Sequence, residues 1–527
     1  MSNVLVIGGG VNGLVSAALL ARRGHRVTLL ERQDRTGGGA RTGEIAPGVR
    51  APTFAHAAAL DPALIRALDL ERHGLRILSR EVDVCAIGAG DRALLLWNDP
   101  GRAAAAIGAR SAKDAARYPA FLESFRRVAR VIQTIAGAAP PSIDQPTGTD
   151  LLELIKAGRA FRGLGTADAY RLLRWMPMAI ADFAGEWFES EPLRAAVAGG
   201  GILGSFLGPW SAGSTAVLLW RGAQGGHPFA TGWPAAGGTG SVAEALTAAA
   251  RQAGVDIQTN VAVSGVLVDG GKATGVRLAN GDTVEAHAVV SNLDPRRTLL
   301  GLVDPAHLDP EFVRRLQNLR ARGTLAKINF ALSSLPAFTA LAPLDAASRA
   351  AALSGRVRLG PDIDSIERAF DAAKYGRFSD EPWIELTVPT IADPALAPAG
   401  QHVVSAYVQY APCQLRDTTW DEARDRLAAA ATATIERAAP GFTASIAARE
   451  TFSPADLEGV LGLTGGHIFH GELALDQWFV TRPVLGWAGY KTPIGNLYLC
   501  GSGTHPGTGL DGRSGALAAK AIAAALG

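Results

Sequence analysis

Val4-Leu5-Val6-Ile7-Gly8-Gly9-Gly10-Val11-Asn12-Gly13, with the run to Arg23 and the segment Val27-Thr28-Leu29-Leu30-Glu31, decides the fold. Four apolar residues predict a short buried strand. Gly8, Gly10 and Gly13 then fit G-x-G-x-x-G. Leu14, Val15, Ala18 and Leu19 follow at helical spacing, Gly24 is a stop, and the second strand ends on an acid. Each glycine has a mechanical task. Gly8 allows the tight turn out of the strand, Gly10 lets a pyrophosphate approach the backbone, and Gly13 lets the helix lie close on the sheet. The helix start offers free N–H groups and a positive dipole end to phosphates. Glu31 stands about twenty residues on, where a carboxylate accepts hydrogen bonds from ribose hydroxyls. Strand, glycines, helix, strand and acid in register predict a dinucleotide site rather than a bare glycine-rich turn.

The next stretch narrows the dinucleotide. Arg32-Gln33-Asp34-Arg35-Thr36-Gly37-Gly38-Gly39-Ala40-Arg41-Thr42 is similar to the G-G-x-x-x-[S/T] extension of many FAD enzymes, whose backbone lies along the pyrophosphate. The resemblance implies FAD, with Gly38 and Thr42 in the extension. Many such enzymes carry arginine after the glycine pair. Gly39 stands there in this chain, so an arginine contact with phosphate falls to Arg41 or Arg32.

Composition sets the outer limits. A chain of 527 residues is ample for two domains with large cores. A net charge of +2 and the lack of a long basic run give no case for nucleic acid. Cys85, Cys413 and Cys500 are far apart, with no C-x-x-C. That argues against disulfides, zinc ribbons and redox dithiols, and fits a reducing cytoplasm; no metal site is read. The apolar N-terminal run is a strand rather than a signal peptide, and no apolar stretch of ~18 residues predicts a membrane span. The alanine and arginine bias suggests a bacterial source.

In chain order, Phe54-Ala55-His56 continues the nucleotide region. Asp83–Ile87 and Ala93–Trp97 alternate like strands, as does Arg76-Ile77-Leu78, with a hairpin turn at Gly88-Ala89-Gly90-Asp91. Ala104 to Ala136 and Asp150 to Val197 are helical, the second interrupted at Trp175-Met176-Pro177-Met178. Leu172, Leu173, Trp175, Met176, Met178, Ile180 and Phe183 are core, a hydrophobic tunnel or a peripheral membrane contact. Gly199-Gly200-Gly201 follows no strand and leads to no ribose acid, so it is not a second nucleotide loop. A helix from Val242, a strand and turn to Val263, a three-strand meander and a strand ending at Ser291-Asn292 come next. Gly323–Phe330, Trp383–Val388 and Val403–Tyr410 are further strands, and Trp420–Ala438 a helix.

That order resembles the middle of the phytoene desaturase and amine oxidase superfamily. The resemblance implies that Val263 bonds the adenine through its main chain. It also implies that Lys327 faces flavin N5 through a water; the alternative is a lysine ending an exposed strand. His56 lies in a loop that passes the isoalloxazine ring in the resembling proteins, so it touches flavin or substrate, or is simply structural.

The C-terminal run Gly462 to Gln477, Arg482-Pro483, and Asn496-Leu497-Tyr498-Leu499-Cys500-Gly501-Ser502-Gly503-Thr504-His505-Pro506-Gly507-Thr508-Gly509-Leu510-Asp511-Gly512 closely resembles the phytoene desaturase-like branch, especially the pyridine nucleotide-disulfide oxidoreductase domain protein 2 group. The strand would enter the pyrophosphate region at Gly501. The Gly509-Leu510 turn and the helix from Ser514 would aim N–H groups at the flavin O2 and N1 side. Thr508, Asp511 and Arg513 replace glycines usual in that branch.

The resemblance covers nearly the whole chain. It implies an α/β fold: a Rossmann-like FAD-binding domain (1–75, 226–310 and 451–527) interleaved with an α+β substrate domain (76–225 and 311–450). The implied activity is a cytoplasmic FAD-dependent dehydrogenase or desaturase moving a hydride from a hydrophobic or cyclic small molecule to flavin N5. An oxygen-using amine-type oxidase, a redox-neutral polyene isomerase and a flavin-bearing scaffold are the alternatives. His470, Tyr490, Trp210 and His227 are candidates for the substrate cavity, and a histidine there takes a proton near neutral pH.

Overall fold

Alternate residues of the first strand face opposite ways, and this builds the first half of the structure. In the computed structural model, which describes residues 2–88, 92–143, 146–229 and 232–527, Val4 and Val6 enter one core and Leu5 and Ile7 another. Their sheet is parallel, in the order Leu497–Leu499, Ala288–Ser291, Asn3–Ile7, Arg26–Leu30, Asp256–Gln258. Helices Val11–Ala21, Gly240–Gln252 and Arg513–Leu526 contribute to the first core. The antiparallel strands Val263–Asp269 and Lys272–Leu278 contribute to the second. Burial on both sides explains the continuous apolar run Val4–Ile7.

A seven-stranded sheet forms the other half, in the order Ile446–Phe452, Leu325–Leu332, His402–Gln409, Trp383–Thr387, Arg356–Leu359, Val82–Ile87, Leu94–Trp97. All neighbours are antiparallel except Arg356–Leu359 with Val82–Ile87. Register puts Lys327 opposite Tyr407, Tyr407 opposite Glu385, and Glu385 opposite Arg358. Directly paired residues share a face, so a polar row runs across one side of a buried sheet.

Some expectations change. The helix expected over 104–136 is two, Pro100–Gly108 and Ala112–Ala136, because Ser111 caps the second by accepting from Asp114 N–H at 3.1 Å. Arg76–Leu78 is not a strand; it makes one bridge, Ile77 to Ala235. Residues 89–91 of the expected hairpin turn lie outside the described residues, though its flanking strands pair antiparallel. Leu172, Trp175, Ile180 and Phe183 are buried, in a core with Phe121 and Trp187. Leu173 is exposed. Their packing supports the core reading of that stripe. Gly199–Gly201 close the helix Glu191–Ile202, where a Cβ would meet Trp383, Leu218 or the Ser214 carbonyl at 2.5–2.8 Å. Among the described residues no helix is long and apolar enough to cross a membrane.

Arg482 organises the C-terminal loops. The residue is 1 % exposed, and its side chain donates to the carbonyls of Phe469 (2.7 Å), Ser502 (2.8 Å) and Glu472 (3.1 Å), with longer bonds to Gly471, Gln477 and Thr504. Burial pushes its pKa down to about 10, so it stays a cation at neutral pH. The five N–H donors of a guanidinium suit such a fan of acceptors. Replacing it leaves several buried carbonyls unpaired. Arg482→Met is expected to lower stability by at least ~3 kcal/mol in urea denaturation; an unchanged midpoint contradicts this role.

Candidate functional site

The turn after the first strand opens one long cavity of about 630 Å3. Gly8 leaves the strand at φ +94°, and a Cβ on Gly13 would lie 2.2 Å from the Gly8 carbonyl oxygen. Helix Val11–Ala21 can pack this close only because position 13 lacks a side chain. Of the predicted cofactor residues, Gly8, Gly10, Glu31, Arg32, Gly38, Arg41, Val263, Gly509 and Leu510 line the cavity. Gly13, Thr42 and Gly501 stand outside that lining. The Thr42 hydroxyl donates to the Gly237 carbonyl and accepts from Gly240 N–H, both at 3.0 Å. Gly501 lets its strand end approach Asn292, whose carbonyl oxygen a Cβ would meet at 2.6 Å.

Glu31 already accepts from Gly9 N–H at 2.7 Å and Gln33 N–H at 2.9 Å. Its two oxygens keep lone pairs for ribose. Arg32 is committed elsewhere, donating to the Val460 and Gly459 carbonyls at 2.7 and 3.2 Å. Arg41 donates to the Arg35 carbonyl at 2.6 Å, and its buried Nε has no partner. Of the two arginines, Arg41 is the one with a buried donor to spare.

Sequence reading missed Asn12. Its amide donates to the Gly509 carbonyl at 3.0 Å and accepts from Gly515 N–H at 3.2 Å. It also misplaced donors at that end. Gly509 N–H goes to Ser502 Oγ at 2.9 Å, and Arg513 N–H to Asp511 at 3.0 Å. Gly509, Arg513 and Gly515 N–H groups are thus taken, and the expected array aimed at a ring shrinks accordingly.

The far end carries charge. His56 and Tyr407 line it as a stacked pair with ring centres 3.6 Å apart. Neither His56 ring nitrogen has a partner, and burial holds its pKa well below the usual histidine value. His470 also lines the cavity, at φ +57°, its Nδ1 unpartnered and its pKa lowered by burial. His227 lines it beside Asp83, Nδ1 3.7 Å from the carboxylate; burial pushes its pKa down to about 4. Lys327 does not line the cavity. It is fully buried, its Nζ 4.7 Å from the Tyr407 ring centre and without a hydrogen bond, and burial drives its pKa well below the lysine range. Tyr490 is also outside the lining, donating to the His505 carbonyl at 3.0 Å, and Trp210 is exposed at the surface.

Arg80, Asp83, Arg221, Arg356 and Glu385 complete this end. Arg80 pairs with Asp83 at 3.0 Å, and Glu385 with Arg356 at 3.5 Å and Arg358 at 2.7 Å. A signal for them was present: Arg356-Val357-Arg358 and Glu385 break strands that are otherwise apolar.

A family model described as "Flavin containing amine oxidoreductase" matches residues 12–523. The chain is 35% identical to pyridine nucleotide-disulfide oxidoreductase domain-containing protein 2 of Rattus norvegicus, over 99% of this chain and 93% of that one. It is 26% identical to the zeta-carotene-forming phytoene desaturase of Myxococcus xanthus, over 96% and 90%. Among solved structures, wild-type putrescine oxidase bound to putrescine has a similar fold, with TM-score 0.60 at 15% identity over 100% and 98%. Relatives of this coverage come from a mammal and a bacterium, so the alanine and arginine bias assigns no source.

Buried neutral histidines give the fold a pH dependence. Burial lowers His227 to about 4 and both His467 and His505 to about 3. In each case the unfolded chain binds the proton more tightly. Their contribution is therefore complete above the unfolded value of ~6.5 and is lost as pH falls towards the folded values. Stability is expected to drop by at least ~2 kcal/mol between about pH 7 and about pH 5 in urea titrations. A flat profile contradicts the neutral assignment.

Proposed function

The chain belongs to the flavin-containing amine oxidoreductase family and is an FAD-dependent oxidoreductase, and from that premise we propose that it dehydrogenates a polar small molecule held beside the His56–Tyr407 stack. The groove fits FAD on two counts. Its glycines let the two loops and Asn292 close together around the cavity they line: a Cβ on Gly38 would lie 3.2 Å from Gly10 Cα, and one on Gly10 2.8 Å from Asn292. Arg41 Nε and His470 Nδ1 are buried donors or acceptors on its wall with nothing to bond. Glu31 would hold the ribose, and Arg41 with the start of helix Val11–Ala21 would hold the pyrophosphate. FAD, when bound, supplies the acceptor for a hydride leaving a substrate C–H.

The protein's own groups do the rest. His56 lines the cavity with both ring nitrogens unpartnered, so it is free to hydrogen-bond the substrate and to take the proton it releases. Tyr407 fixes His56 by stacking and by accepting from its backbone N–H at 3.1 Å. Lys327 packs against the other partner of that stack, Tyr407.

The observation that carries the polar substrate is the wall of Arg80, Asp83, Arg221, Arg356 and Glu385. A polyene laid against this wall would dehydrate all five groups and leave Arg221, which has no carboxylate at ion-pair distance among the described residues, without a partner. This argues against the hydrophobic substrate expected from sequence and against the polyene isomerase that stood as an alternative. Anaerobic titration of the yellow holoprotein with a panel of amino, hydroxy and carboxylic acids is expected to bleach the flavin with at least one member. Dithionite bleaching with no response to any polar member, or bleaching by polyenes alone, contradicts the reading.

A further inference from the structure

We propose that the substrate carries an oxyanion, a carboxylate or phosphate, and that Arg221 receives it with Arg356 in support. This rests on the dehydrogenase reading of the same cavity. The first argument is charge. Arg80 is matched by Asp83, while Arg356 and Arg358 share the single carboxylate Glu385. Among the described residues Arg221 has no carboxylate within ion-pair distance. It makes one long bond, 3.4 Å, to the Leu203 carbonyl and lies 5.7 Å from the Phe469 ring centre. The cluster thus holds four guanidiniums, three of them on the cavity wall, to two carboxylates, and Arg221 feels Glu385 only from beyond ion-pair distance. His227, uncharged at neutral pH, does not alter that balance.

The second argument is unsatisfied bonding. The cavity lining holds two buried donors with no partner, Arg356 Nε and Thr387 Oγ1, which suit an oxyanion, while the unpartnered amide oxygens of Gln224 and Asn98 are acceptors that suit an N–H or O–H elsewhere on the same substrate. Gln224 follows Arg221 by three residues on helix Ser214–Gly225, so both present one face to the cavity. Buried polar atoms are normally paired, and a concentration of unpaired ones marks a place where a polar ligand sits. An uncompensated guanidinium inside a protein is costly unless a counter-charge arrives. Its planar fork matches a carboxylate or phosphate with two parallel hydrogen bonds. Phe469 precedes His470 in the chain, so an anion on Arg221 would lie against the loop carrying that imidazole. A cationic amine entering the same space would meet excess positive charge.

The test reads binding, not turnover. Oxidised holoprotein is titrated with hexanoate, its neutral isostere hexanamide, hexylamine and inorganic phosphate, following flavin absorbance and melting temperature. Hexanoate or phosphate is expected to bind at least ~10-fold tighter than hexanamide, and which of the two wins identifies the anion. Arg221→Met is expected to bring anion binding down to the hexanamide level, with Arg221→Lys retaining part of it and FAD content reporting an intact fold. Hexanamide or hexylamine binding as tightly as both anions overturns the proposal, as does undiminished anion binding in Arg221→Met. If Arg221→Met does not fold, the hexanoate–hexanamide ratio of the unmodified protein decides. Anion binding without bleaching by any substrate would sink the dehydrogenase reading and leave this one standing.

Discussion

Asn12 ties the two ends of the chain into one groove. Its amide sits inside the N-terminal glycine fingerprint and spends both halves on the C-terminal segment, one on the Gly509 carbonyl and one on Gly515 N–H. The bond to Gly509 spans 497 positions of sequence. Both contacts are buried, so neither is replaced by water if it breaks. The sheet makes the meeting possible: Leu497–Leu499 and Asn3–Ile7 flank Ala288–Ser291. The nucleotide groove is therefore a joint product of residues from both ends of the sequence.

The chemistry of the other end is set by strand register. Once Leu325–Leu332, His402–Gln409, Trp383–Thr387 and Arg356–Leu359 pair as they do, Lys327, Tyr407, Glu385 and Arg358 must fall on one row. A shift of one residue would turn every one of them to the opposite face. Three titratable side chains and a tyrosine are thereby placed in the interior. The Tyr407–His56 stack and the Glu385–arginine pairs then anchor the wall that faces the cavity.

The two ends of the cavity differed in how well the sequence foretold them. The glycine fingerprint and Glu31 were legible because each obeys a constraint that acts within thirty-one residues. Strand and helix positions were legible where alternation or breakers were strong, as in Trp420–Ala438, which begins and ends where expected. The helix break at Ser111 was not, since a side-chain cap inside an alanine-rich run leaves no change of periodicity. Tyr490 and Trp210 were candidate cavity residues on chemical type alone, and tertiary packing sent one to the core and the other to the surface. Arg221, Arg356 and Glu385 come from segments more than a hundred residues apart in one case and meet only through sheet register and helix packing. That convergence is invisible to spacing, and it is the basis on which a polar substrate is proposed in place of the hydrophobic or cyclic one expected from sequence.

A flavin dinucleotide lying along the N-terminal sheet, closed in by the C-terminal loops, underlies every role given to the cavity. The most direct measurement is the visible spectrum and nucleotide content of gently purified protein. An oxidised-flavin spectrum and one FAD released per chain on denaturation are expected. Colourless protein that takes up no added FAD, or the release of NAD instead, would contradict that placement.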